Sequence, residues 1–440
     1  MTIFGYILFA MLILTLLLPY KYMVAILLIF CPFMVTGVFH IGGKFVQPYL
    51  ICELFVILSF LRDEIKDIRE KDIYIYISIF LFMCYGLVIT IIGPLLFSGI
   101  EVVGKNLDSS YYGGYDKLAF SNNNVTQIGY LVLNMMTLVC IFHHRANIDL
   151  KFLKKVFLVA VSVSVFMGYW EFISKTTGFI PFPSDLLMSG NEDGLYVATS
   201  FGRFRMSSLC SEASTFGAFI SAAFWAIMAM KKRLFHYILL VLVFIAMVLS
   251  MSGTAYVIFA LGGFLYLYMN GVSFRYILPA LIIGAFIYTT LEFVGYYSDI
   301  YMMLMEKSES SSGVVRYNTA LMSLKIFFQS FGLGIGLGST RSSSFLLDLL
   351  AQTGLIGTLL FFTLYKELII ELRKKRQCNW IFYFSIVLLF GQIIAEPDFS
   401  YSFFWMGLFM AACAYRYHSM PIAAKLYLLR TILKNVEGNH

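Results

Sequence analysis

Apolar runs recur from one end of the 440-residue chain to the other, each broken by a short polar stretch. An α-helix rises about 1.5 Å per residue, so about 20 apolar residues cross the roughly 30 Å hydrocarbon core of a bilayer. Read this way, the pattern predicts spans at about 2–18, 22–39, 46–61, 73–98, 124–142, 156–174, 212–230, 237–251, 254–270, 276–296, 343–364, 380–395 and 400–416. The eighth and ninth are short and meet at Ser-Met-Ser-Gly-Thr (250–254), where a tight turn is expected. The first run, TIFGYILFAMLILTLLL, has no basic n-region and no small-residue cleavage site, so it reads as a span rather than a cleaved signal.

Composition makes lipid the solvent. The chain is 60% hydrophobic and 13% charged, with a mean hydropathy of +0.81, and so few charges do not cover that much apolar surface in water. No stretch reads as a separate soluble domain. The expected fold is therefore all-α: one integral membrane domain over 1–440, a polytopic bundle of about 12–14 transmembrane helices, 13 by the charge pattern. The seven cysteines form no Cys-x-x-Cys pair and sit mostly inside apolar runs, as small hydrophobes do. The six histidines form no metal-binding spacing, and neither metal, cofactor nor nucleic acid is implied.

Charge then orients the set. The segments 62–72, 143–155, 231–233 and 366–376 and the basic tail 417–440 fall on one side. With Lys21, Arg275 and Arg416, that side holds 22 of the 32 Lys and Arg residues, which marks it as the cytoplasm. The other side carries three large loops, at about 99–123, 175–211 and 297–342. Its arginines are Arg203, Arg205, Arg316 and Arg341, all in or bounding the second and third loops.

Arginine binds phosphate through a forked pair of donors and keeps its charge near a membrane. Entering the apolar region costs it about 2.5–3.5 kcal/mol, so a compensating role is expected. In RFR (203–205) an extended chain puts Arg203 and Arg205 on one face. Arg316 lies in VVRYNTALMSLKIF, which reads as an amphipathic helix leading to FGLGIGLGSTRSSS. In that run Gly336 and Gly338 are candidate supporting residues, either as part of a phosphate cradle or as close-packing glycines; without Gly-Lys-Ser/Thr it is no nucleotide loop. Arg341, Ser344, Asp348 and Gln352 are spaced to share one helical face, either lining a polar cavity or bonding neighbouring helices. Ser343 belongs to the same stretch. Ser211 is placed to cap the span at 212, and Glu212 either favours that helix start or accepts a proton from a substrate. Glu396 and Asp398 in EPDFS are further outward carboxylates, and Glu53, Glu171 and Glu292 sit within or at the ends of spans. Tyr111, Tyr112 and Tyr115 are placed to stack on sugars or to anchor at the interface.

Two segments carry a resemblance. RYNTALMSLKIFFQSFGLGIGLGSTRSSSFLLDLLAQTGLIGTLLFF resembles the Arg…P-x-x-G-x-G-x-G…H-N-x-x-L-x-x-L-x-E-x-G-x-x-G pattern of the Wzy/WaaL-type superfamily, the polysaccharide repeat-unit polymerases and O-antigen ligases. RFRMSSLCSEAS resembles the Arg…E-P-S stretch of many such polymerases, and the likeness spans roughly 200–410. Aligned on Gly354, Ser343 and Ser344 stand where ligases carry His-Asn, and Gln352 stands where they carry Glu, so the ligase's histidine base does not carry across. The resemblance implies a GT-C-like bundle that joins undecaprenyl-pyrophosphate-linked repeat units of O-antigen, capsule or exopolysaccharide, outside a bacterial plasma membrane, without cofactor. A chain-length regulator is a possible partner. Arg203, Arg205, Arg316 and Arg341 would hold the pyrophosphate, and Glu212 or Asp398 would serve the acceptor hydroxyl. The rivals are an O-antigen ligase and a flippase or other transporter.

Overall fold

The structure is a computed structural model that describes residues 1–41, 44–62, 72–104, 115–189, 199–200, 203–231, 233–271, 311–395 and 399–415. The expected span at 276–296, Glu292, Glu396, Asp398, Tyr111, Tyr112 and the tail 417–440 lie outside the described residues, as do parts of the three loops.

Among the described residues the chain is mostly helical, with fourteen helices and three two-stranded antiparallel hairpins. Helices α1 (Ile3–Leu16) and α2 (Tyr20–Phe30) precede the hairpin of β1 (Phe39–Ile41) and β2 (Lys44–Val46), then α3 (Pro48–Arg62) and α4 (Ile73–Leu96). The hairpin of β3 (Glu101–Val102) and β4 (Asp116–Lys117) leads to α5 (Asn122–His144), α6 (Leu150–Thr177) and the short α7 (Ser184–Leu187). The third hairpin, β5 (Thr199–Ser200) with β6 (Arg203–Phe204), precedes α8 (Ala213–Ala229), α9 (Leu234–Leu249) and α10 (Gly253–Asn270). The last group is α11 (Ser311–Gln329), α12 (Phe345–Ile369), α13 (Asn379–Ala395) and α14 (Ser402–Ala414).

Each predicted span that falls on described residues contains a helix. Among the described residues, five helical stretches are long and apolar enough to cross a membrane: Ile73–Leu96, Asn122–Asn147, Leu150–Thr177, Gly253–Asn270 and Phe345–Lys374. Six further apolar helices are shorter. The expectation at 22–39 needs correcting, because α2 stops at Phe30, just before Pro32, which has no N–H to continue the ladder. Residues 31–38 are instead buried irregular chain, with Thr36 Oγ1 donating to Leu187 O (2.6 Å) and the N–H of Met34 to Leu209 O (2.9 Å). The turn at 250–254 is as expected, with Met251 at φ 44° and Ser252 capping α10 by accepting from Ala255 N–H.

The middle of the bundle is α8, α13 and α14, which are buried nearly throughout. Small residues let these helices approach: Ala218, Ala222, Ala223 and Ala226 line α8, and the Cβ of Ala218 borders Gly391 of α13. Such close approach of backbones gains van der Waals attraction. Around it run aromatic stacks such as Phe219 on Phe403, at 4.3 Å between ring centres. The rim exposes large apolar side chains, among them Ile7, Leu14, Phe80, Ile91 and Ile238, which suits lipid rather than water.

Hydrogen bonds identify the two ends. At one, Tyr49 hydroxyl donates to Ser400 O (2.7 Å) and Ser402 hydroxyl to Cys31 O (2.5 Å). At the other, Arg62 donates to Leu18 O, and Arg145 pairs with Asp72 at 2.5 Å, both side chains buried. The first end, where α8, α12 and α14 begin and α9 and α13 finish, carries all four candidate arginines.

Candidate functional site

The glycine run is explained by a broken helix. Within α12, Gly354 adopts φ 65° and ψ −169°, a backbone state essentially confined to glycine, and the ladder of that helix opens there. Opened backbone at a buried position must be satisfied by protein. The run 331–338 does this. Ile335 N–H donates to Ala351 O (3.0 Å), Gly336 N–H to Gln352 O (2.8 Å), and Leu355 N–H to Gly332 O (2.8 Å). Gly334, at φ 89°, lies so close to the break that a Cβ there would stand 2.5 Å from Gly354 N. Helices α4 and α5 close the other side: Thr90 Oγ1 accepts from Leu337 N–H (3.0 Å), and Asn124 Nδ2 donates to Leu337 O (2.8 Å).

Of the two roles open to the glycines, the geometry matches close packing. The N–H of Gly336 is committed to Gln352 O, and that of Gly338 to Gln352 Oε1 (2.8 Å). Neither amide is turned toward a ligand. Through these bonds both glycines fix the segment just beyond them.

That segment carries Arg341, half-buried on irregular chain. Its neighbours are held from α12. Gln352 Nε2 donates to Thr340 O (2.9 Å) and to Asp348 Oδ2 (2.6 Å), and Asp348 Oδ1 accepts from Ser342 N–H (2.9 Å). The expected four-residue face is therefore corrected. Helix α12 begins at Phe345 with Ser344 as its N-cap, so Arg341 precedes the helix, while Asp348 and Gln352 reach back from it as brackets. Only an amide fills position 352 here, since it accepts from Gly338 and donates twice. Gln352→Glu should therefore lower stability by about 1–3 kcal/mol through lost donors and a carboxylate against Asp348. A thermal-unfolding comparison with the wild type reads this, and Gln352→Glu combined with Asp348→Asn should recover part of the loss.

Ser343 joins this segment to α11: its hydroxyl lies 3.0 Å from that of Thr319. Arg316 lies one helical turn before Thr319 on the same face of α11.

A second group forms around RFR. Arg203 lies in β6, extended as expected, opposite Ser200. Arg205 Nε donates to Ser250 O (3.2 Å), and Met206 N–H to Leu249 O (3.0 Å), tying the segment to the end of α9. Burial lowers the Arg205 pKa from its ordinary value, and the nearby Glu212 carboxylate acts to hold its charge. Glu212 itself is exposed. It, rather than Ser211, is the N-cap residue of α8, and its side chain accepts from Ser214 hydroxyl (2.9 Å) instead of a backbone N–H. Serine at 211 is the better cap on propensity alone, but the helix starts one residue later.

No local pattern announces what holds this segment from below. Glu171, fully buried at the end of α6, pairs with Lys175 (2.9 Å) and accepts from Ser207 hydroxyl (3.2 Å) and Ser207 N–H (3.4 Å). Lys175 also lies over the Phe204 ring at 4.7 Å. Asn124 is equally hidden, since its place in Ser-Asn-Asn-Asn announces only a capping box, which it does form with Ser121.

Arg205 thus lies within electrostatic reach of Glu212, and Arg316 sits one helical turn from Thr319, whose hydroxyl meets that of Ser343 two residues beyond Arg341. Arg205 and Arg341 stand on irregular chain fixed by neighbouring helices, and such chain is able to present several donors to one anion. No family model matches the chain, and no curated protein matches it.

Proposed function

We propose that the chain is a multi-pass glycosyltransferase of a bacterial plasma membrane that polymerises undecaprenyl-pyrophosphate-linked repeat units at its outer face. The observation that carries this reading is the anchoring of Arg205 and Arg341: each is placed by non-helical chain that is bonded to neighbouring helices. They stand at the end of the bundle poor in other cations, which by the charge count faces outward.

The reaction needs an attacking hydroxyl and a leaving diphosphate. The acceptor oxygen bonds to the donor's anomeric carbon as the bond from that carbon to the diphosphate breaks. The electron pair leaves with the diphosphate. Forked donors already in place stabilise the growing charge, commonly the largest contribution to catalysis. The exposed Glu212, held by Ser214, takes the hydroxyl proton, a contribution of about 10²–10⁴-fold. Glu212→Gln should therefore lower turnover by about 10²-fold or more while donor affinity stays near wild type. Equal loss of both would move Glu212 from proton transfer to binding.

One observation favours the carrier reading instead: Glu53, a fully buried carboxyl in α3, is the kind of group ion-coupled carriers use. Purified protein in vesicles with lipid-linked repeat units separates the two. A ladder of longer glycans supports the polymerase; single units moved between leaflets support the carrier.

A further inference from the structure

Glu53 is used by none of the glycosyl-transfer chemistry above. Its residue is 0% exposed, and neither carboxyl oxygen has a hydrogen-bond partner among the described residues. None of the ion pairs among the described residues includes it. The titratable groups in electrostatic reach are Cys31 at the end of α2, and Tyr49 and Cys52 on α3 itself. Tyr130 of α5 reaches the same place through Tyr49. All four are ordinarily uncharged at neutral pH, so none compensates a carboxylate.

The facing helix supplies a matching gap. Helix α5 packs on α3, and from it Asn134, also 0% exposed, lies against the Tyr49 hydroxyl. Its Nδ2 donates to Tyr130 O (2.8 Å), but its Oδ1 is a buried acceptor with no donor among the described residues. Tyr49 spends its own proton on Ser400 O (2.7 Å). Glu53 follows Tyr49 by one helical turn, so a buried carboxyl that accepts from no described donor and a buried amide oxygen without a donor share the neighbourhood of that tyrosine. Buried polar groups are nearly always satisfied, and one proton satisfies both.

We propose that Glu53 is a proton-binding site inside the bundle, a neutral carboxylic acid whose O–H is donated to Oδ1 of Asn134. This does not rest on the polymerase reading, and it holds whether the arginine end is catalytic or not. The proton is the ligand that fits best: a metal cation needs several more oxygens than one carboxyl and one amide.

Infrared difference spectra of the full-length chain in lipid nanodiscs test this at neutral pH. The expected result is a carboxylic-acid carbonyl band in wild type that is lost in Glu53→Gln and shifted in Asn134→Leu toward an acid with no acceptor. If Glu53→Gln removes only carboxylate bands, or Asn134→Leu leaves the acid band in place, the proposal is overturned. A sodium-dependent rise in melting temperature, present in wild type and absent in Glu53→Gln, overturns it in favour of a metal cation. Should Glu53→Gln not fold, the comparison of wild type with Asn134→Leu carries the same decision.

Discussion

Arg341→Lys should fold as wild type and lose most of its turnover, by about 10²–10³-fold. The loss follows from geometry rather than charge. Guanidinium offers two parallel donors to a phosphate, whereas an ammonium is a mobile point charge on a flexible stem. Folding should survive because the segment is held on either side of residue 341, through Thr340 O and Ser342 N–H, and neither bond uses the arginine side chain. Initial rates of glycan elongation, with thermal unfolding as the control, measure the two halves of this statement. Wild-type rates in a folded variant would remove Arg341 from the site.

Gly354→Ala should have the largest effect on stability. A side chain at φ 65° and ψ −169° costs about 1–3 kcal/mol in backbone strain. The added Cβ would also meet the Gly332 carbonyl and the Leu333 backbone, and overpacking of that kind costs about another 1–3 kcal/mol. Against a native stability of about 5–15 kcal/mol, the sum is enough to lower the folded population visibly. Activity should fall with it, since the break in α12 is what receives the glycine run and so positions Arg341. Gly129→Ala, on α5 with open space around the Cβ, is the matched control and should change neither. A melting temperature for Gly354→Ala equal to that of Gly129→Ala would mean the break is not built as described.

The helices are legible along the chain because long apolar runs mark segments that satisfy their backbone internally and keep their side chains from water. Spans such as 73–98 and 380–395 meet their helices, Ile73–Leu96 and Asn379–Ala395, within a residue or two. The break at Gly354 is not legible. LLAQTGLIGTLLFF keeps an apolar pattern straight through it, and what opens the helix is a segment some twenty residues upstream. The same distance hides the meaning of the glycines: alternation announces unusual backbone, but only the packed structure shows that Gln352 takes the amides. Spacing alone puts Arg341 and Asp348 on one helical face, because it assumes a helix that has not yet begun at 341. The Glu171 bracket under Ser207 is invisible for a simpler reason, since a carboxylate's partner across 36 residues leaves no local mark. Arg203, Arg205, Arg316 and Arg341 stand out through scarcity of charge alone, and that signal is independent of any helix boundary.

If two arginine groups grip one diphosphate, the binding of polyprenyl diphosphate against polyprenyl monophosphate tests it most directly. The prediction is that wild type prefers the diphosphate, and that Arg205→Lys and Arg341→Lys each weaken it by at least about tenfold while the monophosphate is affected less. Equal affinity for the two lipids, or a loss confined to one of the two variants, would contradict it.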